Sequence, residues 1–459
     1  MYWLHECSSM RAPGCHSRLR YSIHLVLGYD PVMARVEINL TGMPYVPGVA
    51  TGILQRGMCA DPAGRVVLLK QPLAGPLPDP PAGYIMIEGA PLAHAMIPLL
   101  GSGVPTVIVT HAQAALLEEG TEVLLDGTTG HITTRQAVAA ASTVSTSTRP
   151  VHTTADGVRV ELRVSARDPL AVAQAAAAGA GAIGLVRSEF LAPGDGRLPD
   201  AAFYERAFRT LCTAAAPLPV TVRLIDIAAD KHPGWLPEHA GPDGTLGLQG
   251  VRLYDKEPLQ TIYRAQLAAI DALADAFDLR VLLPYVSDRD ELLRWHAEVR
   301  ECMDHTVPVG AMAETPAACL QIGSWLEVAD FVSIGCNDLM QCLFGADRDR
   351  PELRPYLDPH APPLFRFLQQ VAADAQGQLA RVQLCGVLPQ LPGILPVLLG
   401  LGFRVFSVEP AMLPFLWQRI ANTSIDNART LADKVCAAQD AGAVRELLAP
   451  VAGGPDETR

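Results

Sequence analysis

Residues 158–190 read VRVELRVSARDPLAVAQAAAAGAGAIGLVRSEF. Two apolar, β-branched runs, 158–165 and 182–188, suit strands. The segment between them, DPLAVAQAAAAGA (168–180), suits a helix, with Asp168 placed to cap its amino terminus. The same alternation continues. Further strands are expected at 220–226, 280–286, 307–313, 331–335, 382–387 and 403–409, separated by helical stretches such as 259–277 and 289–299. Eight β-then-α units in about 270 residues match a closed, parallel (β/α)8 barrel of the TIM type. An open doubly wound sheet is the structural alternative. The one G-x-G-x-x-G match, Gly179 to Gly184, follows a helix and leads into a strand, the wrong context for a dinucleotide loop. That weakens the alternative.

Upstream of the barrel the texture changes. Between Ile38 and Thr133 short β-like runs (65–69, 84–89, 105–109, 121–125) are divided by turn signals such as Gly75-Pro76 and Asp126-Gly127. The fold class is therefore α/β throughout, a smaller α/β domain at about 37–133 followed by the barrel at 154–425. Residues 134–153, dominated by Ala, Ser and Thr, read as a linker with a short helix at its start. Residues 1–36 show no clear period and read as an atypical or poorly ordered extension, Met33 standing just before the patterned sequence. Residues 426–459 read as a C-terminal helical tail.

Composition excludes several classes. Of 459 residues, 36 are Lys or Arg and 48 are Asp or Glu, a formal charge of −12. An acidic chain without a Lys/Arg run lacks the footprint of a nucleic-acid binder and of an anionic-membrane binder. The longest apolar stretch, 391–403, holds Pro and Gly and is too short to span a bilayer. Ten cysteines without a CxxC pair suggest free thiols in a reducing cytoplasm rather than a disulfide framework or a zinc ribbon.

In a barrel of this type, chemistry sits at the carboxyl ends of the strands. Those ends read Arg187-Ser188-Glu189, Arg223 with Asp226, Glu314, Gly335-Cys336-Asn337-Asp338, and Cys385-Gly386. Arg187 and Arg223 lie inside apolar runs, where an unpartnered cation is costly, so an anion is expected beside them. Arginine's planar fork suits carboxylate and phosphate. Glu314 and Asp338 close adjacent strands about 4.8 Å apart, a conflict that Mg²⁺ with substrate phosphate oxygens would resolve. Loop polarity alone would also place a carboxylate at each position. The four together suggest a small, dianionic, oxygen-rich substrate.

The segments GAGAIGLVRSEFL (179–191), VRLIDIAADK (222–231), LGLQGVRL (246–253), AETPAACL (313–320), DFVSIGCNDLMQ (330–341) and LCGV (384–387) occur in that order. Their set resembles the phosphoenolpyruvate-binding barrel shared by Enzyme I of the sugar phosphotransferase system, phosphoenolpyruvate synthase and pyruvate phosphate dikinase. The resemblance implies that Arg187, Arg223 and Arg348 bind phosphate and carboxylate, and that Asn337 donates its amide to the substrate. It implies Glu314 and Asp338 as Mg²⁺ ligands and Cys385 as the acid that protonates the enolate. A buried thiol at Cys385 is also an ordinary core residue, and Cys336, beside Asn337, reads as packing. In the neighbouring domain, GYIMIEGAPLAHAMIPLLGSGVPTVIV (83–109) and MPYVPGVATG (43–52) are similar to the family's swivelling phosphohistidine domain, which makes His94 the phosphoacceptor.

This sequence departs from the family pattern at four places. Leu92-Ala93 replaces Thr-Ser before the histidine, and the helix after it lacks an Arg, with Pro98 nearby. Gln249 replaces a cation, and Val387 replaces Glu after Cys385-Gly386. The interval between Gly52 and Tyr84 is too short for Enzyme I's helical insertion, and only about 36 residues precede the domain, too few for a dikinase's nucleotide-binding domain. The resemblance thus implies phosphoenolpyruvate-dependent, Mg²⁺-assisted phosphorylation of His94 with release of pyruvate. Transfer would follow to a separate acceptor protein or nucleotide-binding partner, by a cytoplasmic homodimer. A citrate-lyase-like or pyruvate-kinase-like barrel would share the acidic pair without the histidine domain. The rival outside catalysis is a phosphoenolpyruvate-sensing regulatory protein with a decayed site.

Overall fold

The structure, a computed structural model, describes residues 38–71, 79–135, 152–166, 168–194, 196–227, 233–237 and 246–452. The expected N-terminal extension lies outside the described residues; the linker expected from 134 begins instead with the last two residues of a strand, His131–Arg135, and its expected helix beyond them is outside the described residues.

The barrel strands are β9 (Glu161–Ala166), β10 (Ile183–Arg187), β11 (Val220–Arg223), β12 (Leu279–Val286), β13 (Val309–Ala313), β14 (Phe331–Gly335), β15 (Val382–Cys385) and β16 (Val405–Val408). All pair in parallel, and β16 returns to β9, so the sheet closes. Closure removes the open-sheet alternative. The strands read as near-continuous apolar runs because helices cover one face and the barrel interior the other. Asp168 caps the first helix, Pro169–Ala177, accepting from the Ala171 N–H at 2.9 Å.

The third strand is shorter than the expected 220–226. Leu224 still donates to the Leu282 carbonyl at 3.0 Å; at Ile225, side chains take over the backbone bonds. Gln266 Oε1 accepts from the Ile225 N–H at 2.8 Å, and the Tyr254 hydroxyl donates to the Ile225 carbonyl at 2.7 Å. At the C-terminal end, helix Ile425–Ala437 packs on helix Ile394–Gly400, so the chain past residue 425 still covers the barrel wall.

Ahead of the barrel lie β1 (Asn39–Thr41), β2 (Met43–Val46), β3 (Val49–Arg56), β4 (Arg65–Leu69), β5 (Gly83–Ile87), β6 (Thr106–Val109), β7 (Glu122–Asp126) and β8 (His131–Arg135). They form one mixed sheet in the order β1-β8-β7-β3-β4-β5-β6-β2, with β3 through β6 parallel. Alternation along β4 and β5 sends Val66, Leu68 and Ile85 into this domain's own core. It sends Val67, Leu69, Tyr84 and Met86 into a cluster continuous with the barrel core. The eight described cysteines are free. Among the described residues no helix is long and apolar enough to cross a membrane.

Candidate active site

Side chains alternate along each barrel strand, so every second residue faces the axis. Register then stacks the chemistry. Arg187 of β10 lies opposite Arg223 of β11, and Gly335 of β14 lies opposite Cys385 of β15. Glu314 follows β13 directly. Cys336 opens a helix that runs to Phe344, and this puts Asn337 and Asp338 in its first turn above β14. All eight residues singled out in the sequence, His94, Arg187, Arg223, Glu314, Asn337, Asp338, Arg348 and Cys385, line one pocket at the carboxyl mouth of the barrel.

Two glycines make room for them. A side chain on Gly335 would collide with the Glu314 carboxylate. Gly386 has φ +101°, and a Cβ there would sit 2.7 Å from Asn337 Oδ1. That oxygen accepts the Val387 N–H at 2.9 Å. With its oxygen engaged, Asn337 keeps its amide nitrogen as the donor. Val387 is itself buried, so no carboxylate takes its family place beside the thiol.

Arg223 corrects an expectation. It is buried, but it has internal partners: Nη2 bonds Glu189 and Nη1 lies 2.9 Å from Asp226 Oδ2. Burial alone would weaken its charge, yet Asp226, Glu189, Glu314 and Asp338 outweigh that and raise its pKa. An external anion is therefore not required to hold Arg223. Among the described residues, its Nε and Glu189 Oε2 remain buried without a hydrogen-bond partner. Arg187, at the end of β10, is half-buried rather than enclosed. Arg348 is buried, with Nη2 3.4 Å from Asp338 Oδ1.

Cys385 is buried at the top of an apolar interior layer with Leu185, Leu282, Met312 and Phe331. Its thiol donates to the Ile334 carbonyl at 3.3 Å and accepts from the Ser333 hydroxyl at 3.5 Å. Burial pushes the thiol up to about 11, Ser333 and the two arginines opposing and Glu314 adding to it. The group therefore keeps its proton at neutral pH, as a proton donor must. Sequence reasoning missed Ser333 and Gln383 below it. Gln383 Nε2 donates to Ser333 Oγ at 3.2 Å, and Arg163 Nη1 donates to Gln383 Oε1 at 3.3 Å. The only sequence signal was position: Ser333 and Gln383 lie two residues before Gly335 and Cys385.

His94 sits in a turn three residues before helix Ile97–Ser102, half-buried over the barrel mouth. The Tyr45 hydroxyl lies 3.1 Å from both the Pro91 and the Met96 carbonyl and shares its one proton between them, at the two ends of that turn. Tyr45 is fully buried, and burial, with Glu409 nearby, raises its pKa and keeps it a donor. From the barrel side, Asp349 Oδ1 accepts the His94 backbone N–H at 2.8 Å. Arg354 bonds both the carboxylate and the carbonyl of Glu88. Leu92 is a core residue and Ala93 is half-buried, so neither supplies a hydroxyl to the histidine. Gln249 is buried, bonded to Tyr285, and outside the lining of this pocket.

The donor set can be tested against Mg²⁺. Among the described residues no three His, Cys, Asp or Glu side chains converge as a metal cage. Glu314 and Asp338 offer only hard oxygen at the pocket wall, which fits an ion that keeps most of its shell for water and substrate phosphate.

Cations, carboxylates, an amide and a protonated thiol gather at the carboxyl mouth of a closed (β/α)8 barrel, where enzymes of this fold place their chemistry. Residues 142–425 match the family described as PEP-utilising enzyme, PEP-binding domain. A phosphoenolpyruvate-protein phosphotransferase of Streptomyces coelicolor is 32% identical over 450 residues, covering 94% of this chain and 78% of that protein. A protein of the same name from Haloferax volcanii is 30% identical over 391 residues, covering 81% of this chain and 68% of its own length. Multiphosphoryl transfer protein 1 of Escherichia coli is 30% identical over 305 residues, 64% of this chain and 36% of that larger protein. The chain belongs to the family of phosphoenolpyruvate-utilising enzymes.

Proposed function

We propose that this protein is a phosphotransferase that moves the phosphoryl group of phosphoenolpyruvate to His94, releases pyruvate, and passes the group to a separate acceptor protein. The observation that carries this reading is the convergence of His94 from the sheet domain with seven barrel residues on one pocket.

A neutral His94 ring nitrogen attacks phosphorus, and the bond from phosphorus to the enol oxygen breaks. The electron pair stays on that oxygen as an enolate. Cys385 then gives its proton to carbon three, which yields pyruvate, and the thiolate recovers a proton from solvent. Arg187 and Arg348 hold phosphate and carboxylate oxygens, Asn337 donates its amide, and Arg223, kept cationic by its carboxylates, supplies field at the reacting group. Glu314 and Asp338 would hold Mg²⁺, which when bound offsets charge on the phosphoryl oxygens. On this reading His94 leaves the mouth to meet its acceptor. A homodimer is the assembly we expect.

Incubation with ³²P-labelled phosphoenolpyruvate and Mg²⁺ tests the reading. An acid-labile label mapping to His94 is expected. A label elsewhere would take the phosphoacceptor role from His94, and binding of phosphoenolpyruvate without any phosphoenzyme would replace this reading with that of a sensor.

A further inference from the structure

The alternation that sends Arg187, Arg223, Glu314 and Cys385 inward at the carboxyl end also sends charged residues inward at the opposite end. Arg163 of β9, Arg280 of β12 and Gln383 of β15 line a cavity of about 290 Å³ at the amino-terminal mouth, with Arg381 and Asp330 at its wall and Phe331 closing it. The catalytic mouth leaves about 30 Å³ in the same docked arrangement. This end of such a barrel is ordinarily packed for stability. Here three guanidinium groups gather in a chain whose formal charge is −12.

Their bonds leave donors over. Each guanidinium carries about five N–H donors. Arg163 spends Nε on Glu161 at 2.8 Å and Nη1 on Gln383 at 3.3 Å. Arg381 is fastened to backbone by Nε to the Asp330 carbonyl at 2.9 Å and by Nη2 to the Ala329 carbonyl at 2.5 Å, while Nη1 bonds Gln378. Arg280 is the least engaged: its Nε lies 3.8 Å from Asp278 and, among the described residues, has no hydrogen-bond partner although that atom is buried. The wall carboxylate, Asp330, is already taken by the Val309 N–H at 2.7 Å and Arg300 at 3.2 Å. Glu161 pairs Arg163 closely and Asp278 pairs Arg280 only at 3.8 Å, so the cavity presents unspent guanidinium N–H donors while its one wall carboxylate, Asp330, is engaged. Burying such donors without acceptors is unfavourable.

We propose that this lower cavity binds a small polyanion, a phosphate ester or a di- or tricarboxylate, through Arg163 and Arg280 with Arg381 at the wall. It is separate from the phosphoenolpyruvate site and does not depend on the activity proposed above. Arg163 also bonds Gln383, which bonds Ser333 beneath the Cys385 thiol, so the ligand would meet one end of a polar chain that reaches the upper mouth.

Calorimetric titration of the full-length chain with inorganic phosphate and, separately, with citrate tests the site. Arg280→Gln is the diagnostic variant, because the arginine has only its long pair to lose. Arg348→Gln silences the upper mouth. A phosphate or citrate binding event that survives Arg348→Gln and weakens about tenfold or more in Arg280→Gln is expected. Which anion shows it tells phosphate esters from polycarboxylates. The proposal is overturned if neither anion binds, or if every event is lost with Arg348→Gln and unchanged by Arg280→Gln. Arg280→Lys keeps the charge without the fork and should recover part of the affinity; failure of a correctly folded Arg280→Lys to bind better than Arg280→Gln also counts against it.

Discussion

The barrel mouth and the histidine turn face each other across one pocket, but they are held in different ways. Arg187, Arg223, Glu314 and Cys385 stand at or just past the ends of paired strands, so parallel ladders fix their backbones. His94 sits on a turn fixed by one buried hydroxyl, one carboxylate across the interface and one ion pair. Such a design fixes the barrel residues on paired strands and holds His94, the proposed phosphoacceptor, by fewer bonds. The polar contacts across the interface are partly exposed and individually weak, while a buried apolar cluster continuous with the barrel core also joins the two domains.

The sharpest way to break this comparison is to remove one side at a time. His94→Ala should abolish the phosphoenzyme completely and leave phosphoenolpyruvate binding by the barrel intact, read by labelling and by calorimetry on the same sample. Loss of binding together with phosphorylation would show that the histidine domain builds the substrate site rather than merely serving it. Cys385→Ala should lower turnover by about 10²–10⁴, the usual share of a general acid, while phosphohistidine still forms in a single turnover. The pH dependence follows from the raised thiol. Its folded pKa of about 11 lies above the ordinary value, so the proton-bearing form persists below that point and is lost as pH rises through it. Alkylation of Cys385 in the unliganded chain should accordingly stay slow at neutral pH and accelerate only as pH approaches about 11. A fast reaction at neutral pH would remove Cys385 as the donor.

Glu314→Gln should weaken Mg²⁺-dependent phosphoenolpyruvate binding about a hundredfold, because the ion loses an anionic ligand. Undiminished Mg²⁺ dependence would take Glu314 out of the metal site. On the histidine side the effects are smaller. Tyr45→Phe removes the one donor shared by two buried carbonyls and should cost about 1–3 kcal/mol, seen as a lowered melting temperature of the sheet domain and slower phosphorylation of His94, with barrel binding unchanged.

The same division explains what the sequence disclosed. Each barrel strand carries its own apolar run, so all eight were legible, and the reactive residues followed from counting to the strand ends. What stayed hidden depends on pairing between distant segments. Glu189 reads as a loop acid in VRSEF; that it neutralises Arg223 follows only from the register that sets Arg187 opposite Arg223. Tyr45 lies in MPYVPG, where turn residues mask a four-residue strand, β2, that pairs antiparallel with β6. Arg163, Arg280 and Gln383 each look like a lone polar residue in a strand. Only closure of the barrel brings them to one cavity.

The smallest effect tests whether the docking is as light as its contacts suggest. Asp349 accepts the His94 N–H at 2.8 Å, a bond at an exposed position whose net worth is about 0.5–1.5 kcal/mol. The Glu88–Arg354 pair, with side chains 32% and 31% exposed, belongs to the class worth about 0–1 kcal/mol. Asp349→Ala should therefore slow single-turnover phosphorylation of His94 by no more than about tenfold, and Arg354→Ala by less. Phosphoenolpyruvate affinity should not change in Arg354→Ala, whose side chain bonds only the sheet domain among the described residues. If the two contacts act independently on one docking equilibrium, the double variant shows the product of the single effects. A loss of a thousandfold or more in either single variant would mean that the histidine turn is built by the barrel rather than resting on it, and the contrast between a rigid mouth and a departing histidine would fail.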